Sequence, residues 1–136
     1  MAILVATNAI YALADADDPR HIQVSQYVAN TSDVLIVPIT VLPEVDYLIA
    51  RNLGVHIAIA VLQDIAAGAF RLEVVIAEDI ARAIEIVKQY ADSDIGLVDA
   101  SIVAVAERLN VLRIMTRDQH FRMIRPRHHT HFDLVP

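Results

Sequence analysis

The chain contains no cysteine, which removes disulfide staples, zinc–thiolate sites and thiol catalysis at once. It has only three glycines, too few for a glycine-rich phosphate loop, and no hydroxyl residue sits in the strained turn that exposes a serine nucleophile. Its only lysine is Lys88. No apolar run approaches the length needed to span a bilayer, the segment from Ile57 to Leu62 being much too short. The N-terminus shows no basic region followed by an apolar one, so no signal peptide is expected and a cytoplasmic location is the default. Positive charge is also scarce. Eleven Lys and Arg stand against 17 Asp and Glu, a net charge of −6, which argues against a generic basic coat for nucleic acid.

What remains is rich in apolar residues, 56% of 136, enough for one domain over residues 1–136 with a well-filled core. Ala2 to Ala6 and Val34 to Val37 are continuous apolar runs, the mark of strands covered on both faces in a parallel sheet. Thr7 is placed to cap a helix through Ala14. Asp15, Asp17 and Asp18 form an acidic turn, and Pro19 opens a helix ending near Asn30. Thr40 caps a helix that carries Glu44 and stops at Gly54. His56 to Ala67 is helical up to Gly68, and Leu72 to Ile76 is β-rich. Ala77 to Tyr90 has helical apolar spacing at Ile80, Ala81, Ile84 and Val87. A further helix spans about Val98 to Leu109 and ends at Asn110, followed by a strand over Val111 to Met115 and a last short one over Phe132 to Val135. Strands alternating with helices predict a single three-layer α/β/α domain with a mainly parallel central sheet.

Open parallel sheets bind ligands beyond the carboxyl ends of their strands. Asp118 falls just past the strand ending at Met115, Glu44 opens the helix after the second strand, and Asp99 opens the helix before Val111. Acids so placed converge on one edge, where hard cations such as Mg²⁺ or Mn²⁺ take oxygen ligands and polarise a phosphodiester. Singly, each has a plainer role: Asp99 as a helix cap, Glu44 as a first-turn acid, Asp118 as a turn residue. Asp99, however, shares a helical stripe with Ile102 and Ala106, which turns it inward. Arg113, Arg117, Arg122, Arg125 and Arg127 form a local basic stretch suited to phosphates, or equally a solvated surface whose stems cover apolar area. Asp92 and Asp94 read mainly as loop polarity, with Asp94 a candidate outer-shell group. The tandem histidines His128, His129 and His131 read as a surface feature rather than a transition-metal site.

Four segments make a family resemblance. Val5-Ala6-Thr7-Asn8-Ala9-Ile10-Tyr11-Ala12-Leu13 resembles the opening of a PIN domain, which carries Asp at the place of Ala6. Ile39-Thr40-Val41-Leu42-Pro43-Glu44-Val45 resembles its second acidic segment. Asp94-Ile95-Gly96-Leu97-Val98-Asp99-Ala100-Ser101 resembles the third, and Ile114-Met115-Thr116-Arg117-Asp118-Gln119-His120-Phe121 the fourth. The match covers the chain in order and is most similar to the VapC-type toxins of bacterial toxin–antitoxin pairs. That resemblance implies a Mg²⁺- or Mn²⁺-dependent endoribonuclease acting on RNA, commonly a homodimer held inactive by a VapB-like antitoxin. It makes Glu44, Asp99 and Asp118 the remaining catalytic acids, Asp99 and Asp118 metal ligands, and Thr7, Asn8 and Thr116 supporting polar groups. Ala6 has no donor atom, so weak metal affinity and much reduced cleavage are expected. An inactive natural member or an introduced substitution both account for it, and the intact remaining motifs favour the second. Relief of carboxylate repulsion further predicts that Ala6→Asp lowers metal-free stability while increasing stabilisation by Mn²⁺.

Two other readings stand beside this one. The first is a catalytically inactive binding module acting through an antitoxin and operator DNA, with the helices between Pro19 and Gly68 supplying an apolar groove and a dimer surface. The second, a phosphoacceptor receiver domain, needs a lysine at a late strand end and finds Lys88 inside a helix.

Overall fold

A computed structural model describes all 136 residues. Five strands, β1 (Ala2–Val5), β2 (Val34–Pro38), β3 (Arg71–Glu73), β4 (Arg113–Met115) and β5 (Asp133–Val135), form one wholly parallel sheet in the order β3-β2-β1-β4-β5. Ile3, Leu4 and Val5 are fully buried, as a central strand covered on both faces requires. Seven helices connect the strands: α1 (Thr7–Ala14), α2 (His21–Asn30), α3 (Val41–Leu53), α4 (Val55–Ala66), α5 (Ala77–Gln89), α6 (Leu97–Leu109) and the short α7 (His120–Met123). None is long and apolar enough to cross a membrane. The result is the α/β/α domain with a parallel sheet that the alternating pattern implies.

Chain order moves outward from β1 through β2 to β3, then returns to the other side of β1 for β4 and β5. The switch in direction falls between β1 and β4, which opens a crevice at their carboxyl ends. Helices in such units start at that same edge, so α1, α3 and α6 all direct their N-termini, with the positive end of their dipoles, towards it. Local chemistry fixes the ends. Gly54 (φ 103°) separates α3 from α4, and Asn110 (φ 57°) closes α6 in the left-handed conformation that glycine and asparagine tolerate best.

Helix α6 is buried along the run Ala100–Ala106, and its small residues let α5 approach closely. Two ion pairs close that seam. Arg82 grips Glu107 with two bonds of 2.8 and 3.0 Å, and Arg108 meets the buried Asp79 at 3.1 Å while reaching the Val74 carbonyl at 3.0 Å. Some boundaries differ from expectation. β3 and β4 are shorter than their apolar runs because ladder pairing covers only three residues of each. Ala6, not Thr7, occupies the N-cap of α1, and α2 begins two residues after Pro19.

Candidate active site

The crevice at the switch point is a cleft of about 570 Å³ whose wall includes Ala6, Glu44, Asp94, Asp99, Arg117 and Asp118. Each acid arrives by a different route. Glu44 lies in the first turn of α3, whose buried residues Val41, Val45 and Ile49 repeat every four and anchor the opposite face. Asp99 lies in the first turn of α6 beside the fully buried Ala100. Asp118 follows β4 in a loop closed by its own backbone N–H, which donates to Thr116 Oγ1 at 3.0 Å. Ala6 leaves β1 with its N–H still donating to the Met115 carbonyl at 3.1 Å, so position 6 is pinned against the neighbouring strand. Its side chain is almost wholly buried, at 2% exposure, and the α1 N-cap it occupies has no side-chain hydrogen bond.

Electrostatics tie the three acids together. Burial raises the Asp99 pKa from 3.8 to about 6, and the nearby Asp118 and Glu44 carboxylates add to the rise, against an opposing pull from His120. Glu44 Oε1 accepts the Thr7 hydroxyl at 2.5 Å. Asp118 Oδ1 accepts the His120 backbone N–H at 2.9 Å and faces His120 Nδ1 at 2.8 Å. No three His, Asp or Glu side chains close around a single point, and position 6 contributes no oxygen. The donor chemistry is nevertheless that of a hard-cation site: all oxygen, with one half-buried carboxylate lifted by desolvation and then by its neighbours.

A second network sets the backbone around these acids. Asn8 Nδ2 donates to Thr116 Oγ1 at 2.7 Å, while Asn8 Oδ1 accepts from the Arg117 backbone N–H at 3.1 Å and from Arg20 Nη1 at 3.4 Å. Both latter partners can only donate, which fixes the orientation of the amide. Asn8 thereby joins α1 to the loop that carries Asp118. On the other wall, Ser101 Oγ spends its one proton on the Val98 carbonyl at 2.6 Å, so it must accept the Thr40 hydroxyl, also at 2.6 Å. Thr40 stands at the N-cap position of α3 as expected, but its hydroxyl ties the start of α3 to the first turn of α6 instead of bonding its own helix. Ser101 is fully buried, and Ser101→Ala should lower unfolding stability by about 1–2 kcal/mol by orphaning both partners. An unchanged urea midpoint would show that the link contributes nothing.

The basic stretch does not form one surface. Arg117 lines the cleft. Arg113 lies at the opposite edge of the sheet, paired with Asp33 at 2.9 Å, and Arg127 pairs with Glu85 at 2.9 Å beside the end of α6. Arg122 bonds Gln119 at 2.6 Å, and Arg125 is exposed. The histidines also lie elsewhere: His128 Nε2 donates to the Val111 carbonyl at 2.8 Å, and His129 and His131 are exposed. Sequence reasoning missed Arg20, whose only signal was its place beside Pro19. Burial, then the Arg117 guanidinium, lower the Arg20 pKa, while Asp18 raises it.

Comparison with known proteins bears on the family and the fold. A family model for the PIN domain matches residues 3–125. Ribonuclease VapC26 of Mycobacterium tuberculosis is 37% identical over 135 residues, covering 98% of this chain and 100% of that protein. Among solved structures, Mycobacterium tuberculosis VapC20, a sarcin-ricin loop cleaving toxin, superposes with a TM-score of 0.81 at 27% identity, over 87% of this chain and 91% of that one. VapBC2 from Rickettsia felis, bound to a promoter DNA fragment, shares the fold at a TM-score of 0.66 and 19% identity, over 91% and 93% of the two chains.

Proposed function

The chain belongs to the PIN-domain family, among its VapC-type toxin ribonucleases, and from that premise we propose a divalent-metal-dependent endoribonuclease impaired by Ala6. The observation that carries the reading is the meeting of Glu44, Asp99 and Asp118 with position 6 in one cleft, where burial, and then the Asp118 and Glu44 carboxylates, raise the Asp99 pKa to about 6. Mg²⁺ or Mn²⁺ suits the all-oxygen donor set. Asp99 and Asp118 would hold the ion, and position 6 is where a further acid belongs. Bound there, a hard cation supplies Lewis acidity at the phosphoryl oxygen and an acidified water.

The remaining roles fall to the chain itself. Glu44 keeps Oε2 free while Thr7 holds Oε1, so it can take the proton of a water attacking phosphorus as the P–O bond to the leaving ribose oxygen breaks. Thr116 and Asn8 fix the loop that presents Asp118. Helix N-termini at the cleft favour the negative charge of the substrate. Restoring the acid tests the reading: Ala6→Asp should cut RNA with Mn²⁺ and lose that activity in chelator. A restored protein that binds Mn²⁺ and leaves RNA intact overturns it.

A VapB-like antitoxin, a homodimer and a cytoplasmic setting complete the proposal. An apolar groove supports the partner, formed by Ile10 and Leu13 of α1, Ile57 and Val61 of α4, and Phe70. Eight of its nine lining residues are hydrophobic, the chemistry on which the apolar face of a helix docks. The same groove, with the acid missing at position 6, favours the second reading of a catalytically silent module that works through its antitoxin on operator DNA. Inactivity of the restored protein would favour that reading.

A further inference from the structure

We propose that Arg20 and Arg117 form a two-guanidinium seat at the mouth of the acidic cleft for one backbone phosphate of the RNA strand. The inference rests on the ribonuclease reading and adds to it the group that holds the strand. Arg20 comes from the turn before α2 and Arg117 from the loop after β4, far apart in the sequence. Asn8 brings them together, its one carbonyl oxygen accepting Arg20 Nη1 and the Arg117 backbone N–H. That acceptor is neutral. It orients Arg20 without cancelling its charge.

Neither arginine has a carboxylate within 4.0 Å, whereas Arg71, Arg82, Arg108, Arg113 and Arg127 each do. Acids are in excess in this chain, so shortage does not explain the difference. The nearest ones are engaged: Asp18 Oδ1 accepts the Arg20 backbone N–H at 2.8 Å, and Asp118 Oδ1 is held by His120. The other unpaired cations, Arg51, Lys88, Arg122 and Arg125, are exposed side chains outside the cleft wall, while the exposed Arg117 lines that wall and the half-buried Arg20 bonds Asn8, which lines it too. Two like charges held close, offset only by the more distant pull of Asp18 on Arg20, are relieved further by an anion between them. A guanidinium fork fits phosphate oxygens in particular. The position also solves a problem of this molecule, since a cleft walled by four acids on a protein of net charge −6 repels RNA. A cationic pair at the rim, with Arg20 oriented by Asn8, supplies local attraction where the strand must enter.

The test is binding of a fluorescent single-stranded RNA in chelator, followed by anisotropy across about 50 to 300 mM KCl. The chain is compared with Arg20→Gln, Arg117→Gln, the double variant, and Arg51→Gln as a control of equal charge change. Each single variant should weaken binding roughly 5- to 10-fold at low salt, and the log–log salt slope should fall by about 0.7. The double variant should be little weaker than either single, because both side chains hold the same phosphate. Arg20→Lys should recover only part of the loss, with its folding checked by circular dichroism. The seat is overturned if Arg20→Gln behaves like Arg51→Gln, if the two losses multiply as separate contacts do, or if the parent does not bind. It is overturned as a phosphate seat if polyglutamate competes as well as RNA. Failure of the enzymatic reading shows separately, as absence of cleavage by Ala6→Asp while this binding pattern holds.

Discussion

Ala6→Asp should raise Mn²⁺-dependent RNA cleavage by about two to three orders of magnitude, the scale on which single groups that stabilise transition-state charge are felt. Position 6 is fixed from two sides, by the Ala6 N–H on the Met115 carbonyl and by its own carbonyl accepting from Ala9 at 3.1 Å. A carboxylate there would stand on that fixed backbone in the cleft that Asp99 also lines. The same substitution should deepen the melting shift produced by Mn²⁺, since binding to the folded state alone stabilises in proportion to log affinity. Equal shifts for both proteins, or equal cleavage, would end the argument. The structure alters one part of the expectation. Position 6 is the unfilled N-cap of α1, and aspartate at an N-cap contributes about 1 kcal/mol. That gain opposes the repulsion among four acids, so the metal-free loss should be smaller than crowding alone implies.

Much of this was legible in the residues. The runs Ile3–Val5 and Leu35–Val37 show two-sided burial directly, because a strand covered on both faces has no polar alternation to preserve. Helix starts after strand ends place Glu44, Asp99 and Asp118 at one edge without any knowledge of contacts. The stripe through Asp99, Ile102 and Ala106 was a sound guide too, both apolar members being fully buried. Cap positions were less visible. Thr7 and Thr40 look like caps in sequence, yet their hydroxyls bind Glu44 and Ser101 across the fold, because tertiary partners outcompete local backbone for a hydroxyl. Arginine function was the least visible. Arg113 and Arg117 are four residues apart, but β4 lies between them, so they face opposite edges of the sheet. Arg20 joins the site only through Asn8.

Asp99→Asn should stabilise the metal-free protein at pH 7.5 and abolish its response to Mn²⁺. An acid whose pKa rises from 3.8 in the open chain to about 6 in the fold binds its proton more tightly when folded. Stability attributable to it is therefore greatest below the lower value, declines as pH rises through the interval, and is fully lost above the upper one. The rise corresponds to about 3 kcal/mol at neutral pH, which partial exposure of Asp99 reduces to roughly 1–2 kcal/mol. An amide carries no charge, so Asp99→Asn should recover that amount at pH 7.5 and little near pH 4. Glu73 and Glu107 act in the other sense. Arginine partners hold both below the usual glutamate range: Arg71 first for Glu73, and Arg82 for Glu107 against the opposing effect of its own burial. Their stabilisation is present above the open-chain value and disappears as pH falls through the folded one. These three groups together place the greatest stability of the metal-free protein on the acid side of neutrality, where the two windows overlap. Denaturation in urea at both pH values, with and without Mn²⁺, reads all of this. A loss of stability in Asp99→Asn at pH 7.5 would mean that Asp99 holds the fold together, and its strain could no longer be assigned to a site awaiting a cation.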